Sequence, residues 1–337
     1  MRNDRSPPDT KGIIEYMNKI RKYIIRWLID YYKSIKLYRF YNLSKGNSID
    51  FRRKTIVAMV DGRMHHGGLS DRLSGIISSF QYCKLHNVDF RIFFVFPFRL
   101  DQFLEPNEYD WRIKPNELTY NIFQSKPVCV SMYSHDVEEQ RRYTNRRIGK
   151  LADQTHLYTN MGYFYPEEFG ALFNQLFKKT DILEAEISKN MRMIGGKYIS
   201  ITFRFQQLLG DFKETGFPVI NDELERQKLV TSCMECISKL HKKTGMRILV
   251  TSDSSTFLRK AESTFSFVYV IKGDVVHMDY VGKDENINMK VHLKSFVDFF
   301  MLANAECIYL ATISPLYHSY FPKMASWIYG KPFHVIY

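Results

Sequence analysis

From residue 55 onward, short apolar runs alternate with longer stretches in which apolar positions recur at steps of three and four. The runs predict strands at 55–61, 89–96, 128–132, 198–203, 247–251, 267–271 and 307–310. The stepped stretches predict helices at 69–87, 222–242, 289–303 and 318–329 and one ending near Met193, while 133–166 reads as loop. Strands alternating with helices imply parallel sheets covered on both faces. The alternation comes in two runs, with a seam near 185–197 marked by Gly195-Gly196. The fold class is therefore α/β: two Rossmann-like parallel-sheet domains, 55–190 and 191–337, facing a cleft, behind a leader at 1–54.

The leader follows a different rhythm. Ile13, Met17, Ile20, Ile24, Trp27, Tyr31, Ile35 and Tyr38 share one helical face, while Lys19, Lys22, Arg26, Lys33 and Arg39 fall on others. Charges interrupt every apolar run well short of the roughly 20 residues that span a bilayer. A basic amphipathic helix over 12–41 suits the surface of an anionic membrane, and equally suits packing on the body or pairing with a second copy. Because the alternation begins only after Lys54, the leader reads as separable from a body that folds without it.

Charge sharpens this division. The chain of 337 residues carries a formal +12, and residues 1–54 supply fourteen Lys or Arg against five Asp or Glu, leaving the remainder nearly neutral. Nucleic-acid binding predicts charge spread over a folded face, so a non-enzymatic protein attached to nucleic acid by its leader ranks below an enzyme, and no nucleic-acid partner is expected. Five cysteines and no apolar signal-peptide core after Met1 point to a reducing, cytoplasmic compartment, with the leader offering peripheral attachment to the inner face of the plasma membrane.

Sheets of this kind bind ligands at the carboxyl ends of their strands. The first strand runs into His65-His66-Gly67-Gly68-Leu69-Ser70-Asp71-Arg72, where the glycines permit a tight turn and the helix start offers free N–H groups to an anion. The plainer reading makes Ser70 a cap, Asp71 a dipole partner and Arg72 a solvated charge. Arg204 ends the strand at 198–203, where a guanidinium is placed to grip a diphosphate. Ser252-Asp253-Ser254 and the turn holding Thr312 and Ser314 follow two further strands, each readable as a capping loop. Cys233 and Cys236 form a single Cys-x-x-Cys within a helix, which argues against zinc. Asp211, Asp279 and Asp284 show no partner in the sequence and receive no role.

These segments together resemble a known family. Gly67-Gly68-Leu69-Ser70-Asp71-Arg72 is similar to the glycine-rich turn of GDP-fucose-dependent fucosyltransferases, and Thr202-Phe203-Arg204 falls where the α1,2-, α1,6- and protein O-fucosyltransferases carry a His-x-Arg strand end. Ser252-Asp253 resembles their next loop, and Phe296 to Leu302, Cys307 to Ser314 and Gly330-Lys331-Pro332 resemble their closing segment, in order over about 55–335. Thr202 replaces the family histidine, Gly210-Asp211 stands later than expected, and Pro315-Leu316 replaces a serine and an aromatic. The resemblance implies a GT-B-like fold, with donor nucleotide on the second domain, acceptor on the first, and inverting transfer without metal or cofactor. It implies that Arg204 neutralises the departing diphosphate. Gly67, Gly68, Arg72, Ser252, Asp253, Ser254, Thr312 and Ser314 would help hold the donor. Asp71 would accept the acceptor proton, with His65 and His66 as rival bases or acceptor contacts. The donor implied is GDP-fucose, and the acceptor a glycan or lipid-linked glycan.

Overall fold

A computed structural model describes residues 10–43, 53–131, 134, 136–212, 214, 216–280 and 285–337. Asp284, residues 1–9 and 44–52 of the leader, and the side chain of Ile13 lie outside the described residues. The leader forms helix α1 (Thr10–Leu37). The first half then runs β1 (Thr55–Val60), α2 (Leu69–His86), β2 (Asp89–Phe94), β3 (Leu104–Pro106), β4 (Ser125–Val130), α3 (Val137–Ile148), β5 (Gln154–Thr159), α4 (Pro166–Leu176) and β6 (Phe177–Lys179). Helix α5 (Asp181–Ile194) leads to β7 (Tyr198–Phe203), α6 (Glu223–Thr244), β8 (Arg247–Ser252), α7 (Ser255–Thr264), β9 (Val268–Tyr269), α8 (Glu285–Asn304), β10 (Ile308–Ala311), α9 (Phe321–Ile328) and β11 (Phe333–Ile336).

Two parallel sheets result, ordered β2-β1-β5-β4 and β11-β10-β7-β8-β9, with β3 and β6 pairing antiparallel at the side. Strands β1 and β7 are buried along their whole length, as expected of Ile, Val and Phe runs covered on both faces. The 133–166 stretch contains α3 and β5 and is not loop. Helix α3 (VEEQRRYTNRRI) carries too few apolar residues to show an apolar stripe, and β5 buries Gln154, Thr155 and His156 by giving them polar partners.

The last helix returns to the first half. Met324, Ala325 and Ile328 of α9 join Phe169, Phe173 and Leu176 of α4 in one apolar core continuous with both sheets. A Cβ at Gly170 would lie 2.7 Å from the Trp327 carbonyl oxygen, so only glycine permits this approach.

Helix α1 does not stand apart from the first sheet. It lies along the outer edge of β4 and presents polar side chains to it. Ser34 Oγ accepts from Cys129 N (2.9 Å), and Asp30, fully buried, accepts from Ser131 N (2.9 Å), from Ser131 Oγ and from Tyr143 Oη (2.7 Å). Arg147 of α3 bonds Ser34 Oγ and the Cys129 carbonyl. The helix thus takes up the N–H groups an edge strand would otherwise offer to another chain. Leu37 is buried against Val57, Met59 and Tyr158, and Tyr41 Oη bonds His156 Nδ1 at 2.5 Å. The expected separability is therefore corrected for the second half of α1, because its removal would expose apolar surface at Val57, Met59 and Tyr158 and open the edge of β4 to solvent. No helix among the described residues is long and apolar enough to cross a membrane.

Candidate active site between the sheets

The carboxyl ends of β1, β7 and β8 meet across a cleft of about 250 Å³. Arg204, one residue past β7, reaches into it. Its guanidinium pairs with Glu214 (2.7 Å) and Asp253 (3.0 Å) and lies 4.8 Å over the Phe212 ring, with 21% of the side chain open to solvent. Asp253 is buried at the end of β8, where its carboxylate accepts from Phe205 N (2.8 Å) and Gln206 N (2.6 Å). Gln206 has φ +54°, a left-handed backbone held in place by that carboxylate. Asp253 therefore positions the Arg204 turn more than it offers itself to a ligand. Burial pushes its carboxyl upward, opposed first by Arg204 and then by the two amides.

Glu214 was not singled out in the sequence, because it follows Arg204 by ten residues and belongs to no recognisable pattern. Burial raises its carboxyl above the ordinary range, with Arg204 pulling it down and Asp253 and Asp71 pushing it further up. His277 Nε2 stands 3.8 Å away, its ring held neutral with a value lowered to about 4, chiefly by burial.

The Gly-Gly turn is placed as expected and wired differently. Gly67 has φ +73°, and a Cβ there would sit 2.5 Å from Asp71 Oδ2. Asp71 lines the cleft, yet its carboxylate accepts from Gly68 N (3.0 Å) in a cap of α2 and is raised by burial. Arg72 is a correction: its side chain is fully buried and cannot hold a donor. Its Nε, Nη1 and Nη2 go to the Gly67 carbonyl (2.9 Å), the Phe96 carbonyl (2.5 Å) and Asp279 Oδ1 (2.8 Å). Asp279, given no role from the sequence, reaches across from the second half and also accepts from Gly67 N (2.8 Å) and faces His65 Nδ1 at 3.0 Å. It ties the two halves at the turn.

His66 is likewise buried, and its Nε2 accepts from Gly62 N (3.2 Å). Burial, aided by Arg72, lowers its value to about 4, so it serves the turn as a neutral acceptor and does not face the acceptor side. His65 stays exposed, its ring parallel to that of His277 at 6.5 Å.

On the second half, Ser252 lines the cleft and accepts from Ser254 N. Ser254 does not reach a donor: fully buried, it caps α7 through Phe257 N and donates to Asp211 Oδ2 (2.8 Å). Thr312 bonds the Ile336 carbonyl (3.1 Å), and neither it nor exposed Ser314 lines the cleft. Ser319, Tyr320 and Phe321 do, because α9 starts three residues later than the periodicity predicts, with a proline in its first turn. Asp298 of α8 also lines the cleft. Its Oδ2 accepts from Lys294 Nζ (2.7 Å), and its buried Oδ1 has no hydrogen-bond partner among the described residues. No cluster of three or more His, Cys, Asp or Glu among the described residues could hold a metal ion, and Cys233 and Cys236 are buried free thiols on α6.

No protein-family model matches the chain, and no curated protein matches it. Solved structures do. The α-1,6-fucosyltransferase NodZ, in a crystal soaked with GDP-fucose, is similar over 82% of this chain and 93% of its own, with 13% identity and a TM-score of 0.54. Another structure of NodZ, from Bradyrhizobium, covers 81% and 92% at 13% identity and a TM-score of 0.53. A mutant of Arabidopsis thaliana FUT1 in complex with GDP is similar over 91% of this chain and 74% of its own, at 14% identity and a TM-score of 0.51. At such identities the likeness carries the fold. The GT-B-like architecture implied by the sequence motifs is the one found.

Proposed function

We propose that the protein is a glycosyltransferase that moves a sugar, fucose from GDP-fucose, onto a glycan or lipid-linked acceptor, without a metal and with inversion. The observation that carries this reading is Arg204 at the strand end, partly open and facing the cleft between two carboxylates. The acceptor hydroxyl oxygen attacks the anomeric carbon, and the bond from that carbon to the β-phosphate oxygen breaks. The electron pair leaves with the diphosphate, where a fixed guanidinium is worth most as charge grows. The hydroxyl proton goes to a carboxylate. Glu214 suits this task better than Asp71, since Asp71 is engaged by the Gly68 amide while Glu214 pairs with Arg204, a contact that a diphosphate would displace, and faces the neutral His277. A single displacement inverts the centre.

Two further observations favour a guanosine donor. Two of the neighbours with this fold were studied with such a ligand, NodZ soaked with GDP-fucose and the FUT1 mutant in complex with GDP. The unpartnered oxygen of Asp298 also suits the adjacent N–H groups of guanine, a pair of donors on one edge that adenine and the pyrimidines lack. The first half would take the acceptor, with exposed His65 at its entrance. Helix α1 would hold the protein to an anionic membrane on the cytoplasmic side.

A thermal-shift panel of GDP, UDP, CDP, dTDP and ADP tests the donor. GDP is expected to raise Tm most, since a ligand at about 100 Kd adds roughly 2.7 kcal/mol. If no nucleotide raises Tm, the reading fails.

A further inference from the structure

Helix α1 has two sides with opposite character. Asp30, Ser34 and Leu37 face the body, and the contacts of the first two are polar. On the outward side Met17, Ile20, Ile24, Leu28, Tyr31 and Ile35, at steps of three and four, form one stripe, each between 41% and 64% exposed. Arg21 borders this stripe, with Lys22 and Lys36 beyond it among the exposed Ile25, Ile29 and Tyr32. An apolar stripe is normally the side a helix buries. Here the sheet edge takes the polar side and the stripe is held outward.

Charge selects the occupant. Residues 10–40 hold eight Lys or Arg against Glu15 and the buried Asp30. Packing two copies along this stripe would bring like charges together, whereas an anionic bilayer pairs with the cations and takes the apolar side chains at once. Direction adds a second point. Asp30 sits at Ser131, past the carboxyl end of β4, and Asn42 bridges Asn121, before its start, so α1 runs antiparallel to β4. The helix upstream of Asp30 therefore extends toward the carboxyl-end side of the first sheet, the side on which the cleft opens. Strand β4 lies only two strands, about 10 Å, from β1 and its Gly-Gly turn.

We propose that the outward face of α1 is a docking platform for an anionic bilayer, and that the acceptor is an amphiphile drawn from that bilayer and not a free glycan. The second half of this rests on the transferase reading above. The platform does not.

The test uses the full chain and the double variant Ile24→Asp, Leu28→Asp, whose side chains are exposed and lie outside both the contacts of α1 with β4 and the cleft. Wild type is expected to sediment with phosphatidylglycerol vesicles and not with phosphatidylcholine vesicles. The variant should bind about tenfold more weakly or less, as expected when charge enters an interfacial face, with Tm and the GDP shift unchanged. Label from GDP-fucose should enter the organic phase of vesicles made from total cell lipid, and this too should drop in the variant. Binding that the variant retains, or a wild-type dimer that the variant dissolves, overturns the platform. Label equally incorporated by the variant overturns the bilayer acceptor. Absence of a GDP shift in both proteins, with vesicle binding intact, overturns the transferase reading and leaves the platform standing.

Discussion

Arg72 and Arg204 both stand at the carboxyl side of a buried apolar strand, Arg72 after the Gly-Gly turn and Arg204 directly after β7, and they end in opposite situations. Arg72 is fully buried, and two backbone carbonyls and Asp279 take up its nitrogens, so it pins the Gly-Gly turn to the second half. Arg204 meets two carboxylates and keeps an open side toward the cleft. An arginine near a phosphate-sized cleft is informative only when protein oxygens leave it something to bind. Protein oxygens that exhaust its fork make it a staple, whereas a fork with an open side toward the cleft stays available to a diphosphate.

Replacing each arginine should separate these roles. Arg72→Ala takes the guanidinium from Asp279, leaving its carboxylate to Gly67 N and His65, and is expected to cost about 3–5 kcal/mol of stability, read from the denaturant midpoint. Arg204→Ala should stay folded and lose about 10²- to 10³-fold in turnover, with Arg204→Lys recovering only part. A folded, stable Arg72→Ala protein that no longer responds to GDP would invert the comparison.

Glu214→Gln is expected to lower turnover by about 10²-fold with little change in Tm. Because burial holds this carboxyl above its ordinary value, the acid limb of the wild-type rate profile should lie above the usual glutamate range and vanish in the variant. An unchanged limb would return the role of base to Asp71.

The smallest difference between the two arginine variants is in acid stability. His66, His277 and His292 are lowered to about 4 and His156 to about 3, each chiefly by burial. Between about 6.5, the unfolded value, and 4 the unfolded chain binds more protons, so stability should hold above that window and fall as pH drops through it. Arg72 is a second cause at His66 and His292, whereas Arg204 acts only at His277. The acid loss should therefore shrink more in Arg72→Ala than in Arg204→Ala, as melts across that range would show.

How far the sequence carried depended on where each residue's partner lay. Buried apolar runs such as β1 and β7 announced themselves, as did Gly67-Gly68, whose backbone demand is local. Helix α3 and strand β5 were illegible because polar residues hold them in place. Asp279 gave no signal because Gly67 and Arg72 stand more than 200 positions away in the chain. Ser319 was displaced by Ser314 because helical periodicity fixes a helix better than its first turn, and the cleft is built at first turns.

The clip that α1 places on β4 has a length set by arithmetic. Four helical residues rise about 6 Å and two strand residues about 6.6 Å, so the two repeats keep step for one interval and then slip. Asp30 and Ser34 spend that interval on Ser131 and Cys129. The next outward position on the strand is Pro127, which has no N–H to give. Leu37 closes the helix at the same level, so the edge is silenced as far as Ser131 by two side chains and an imino acid, and no further strand can be templated there.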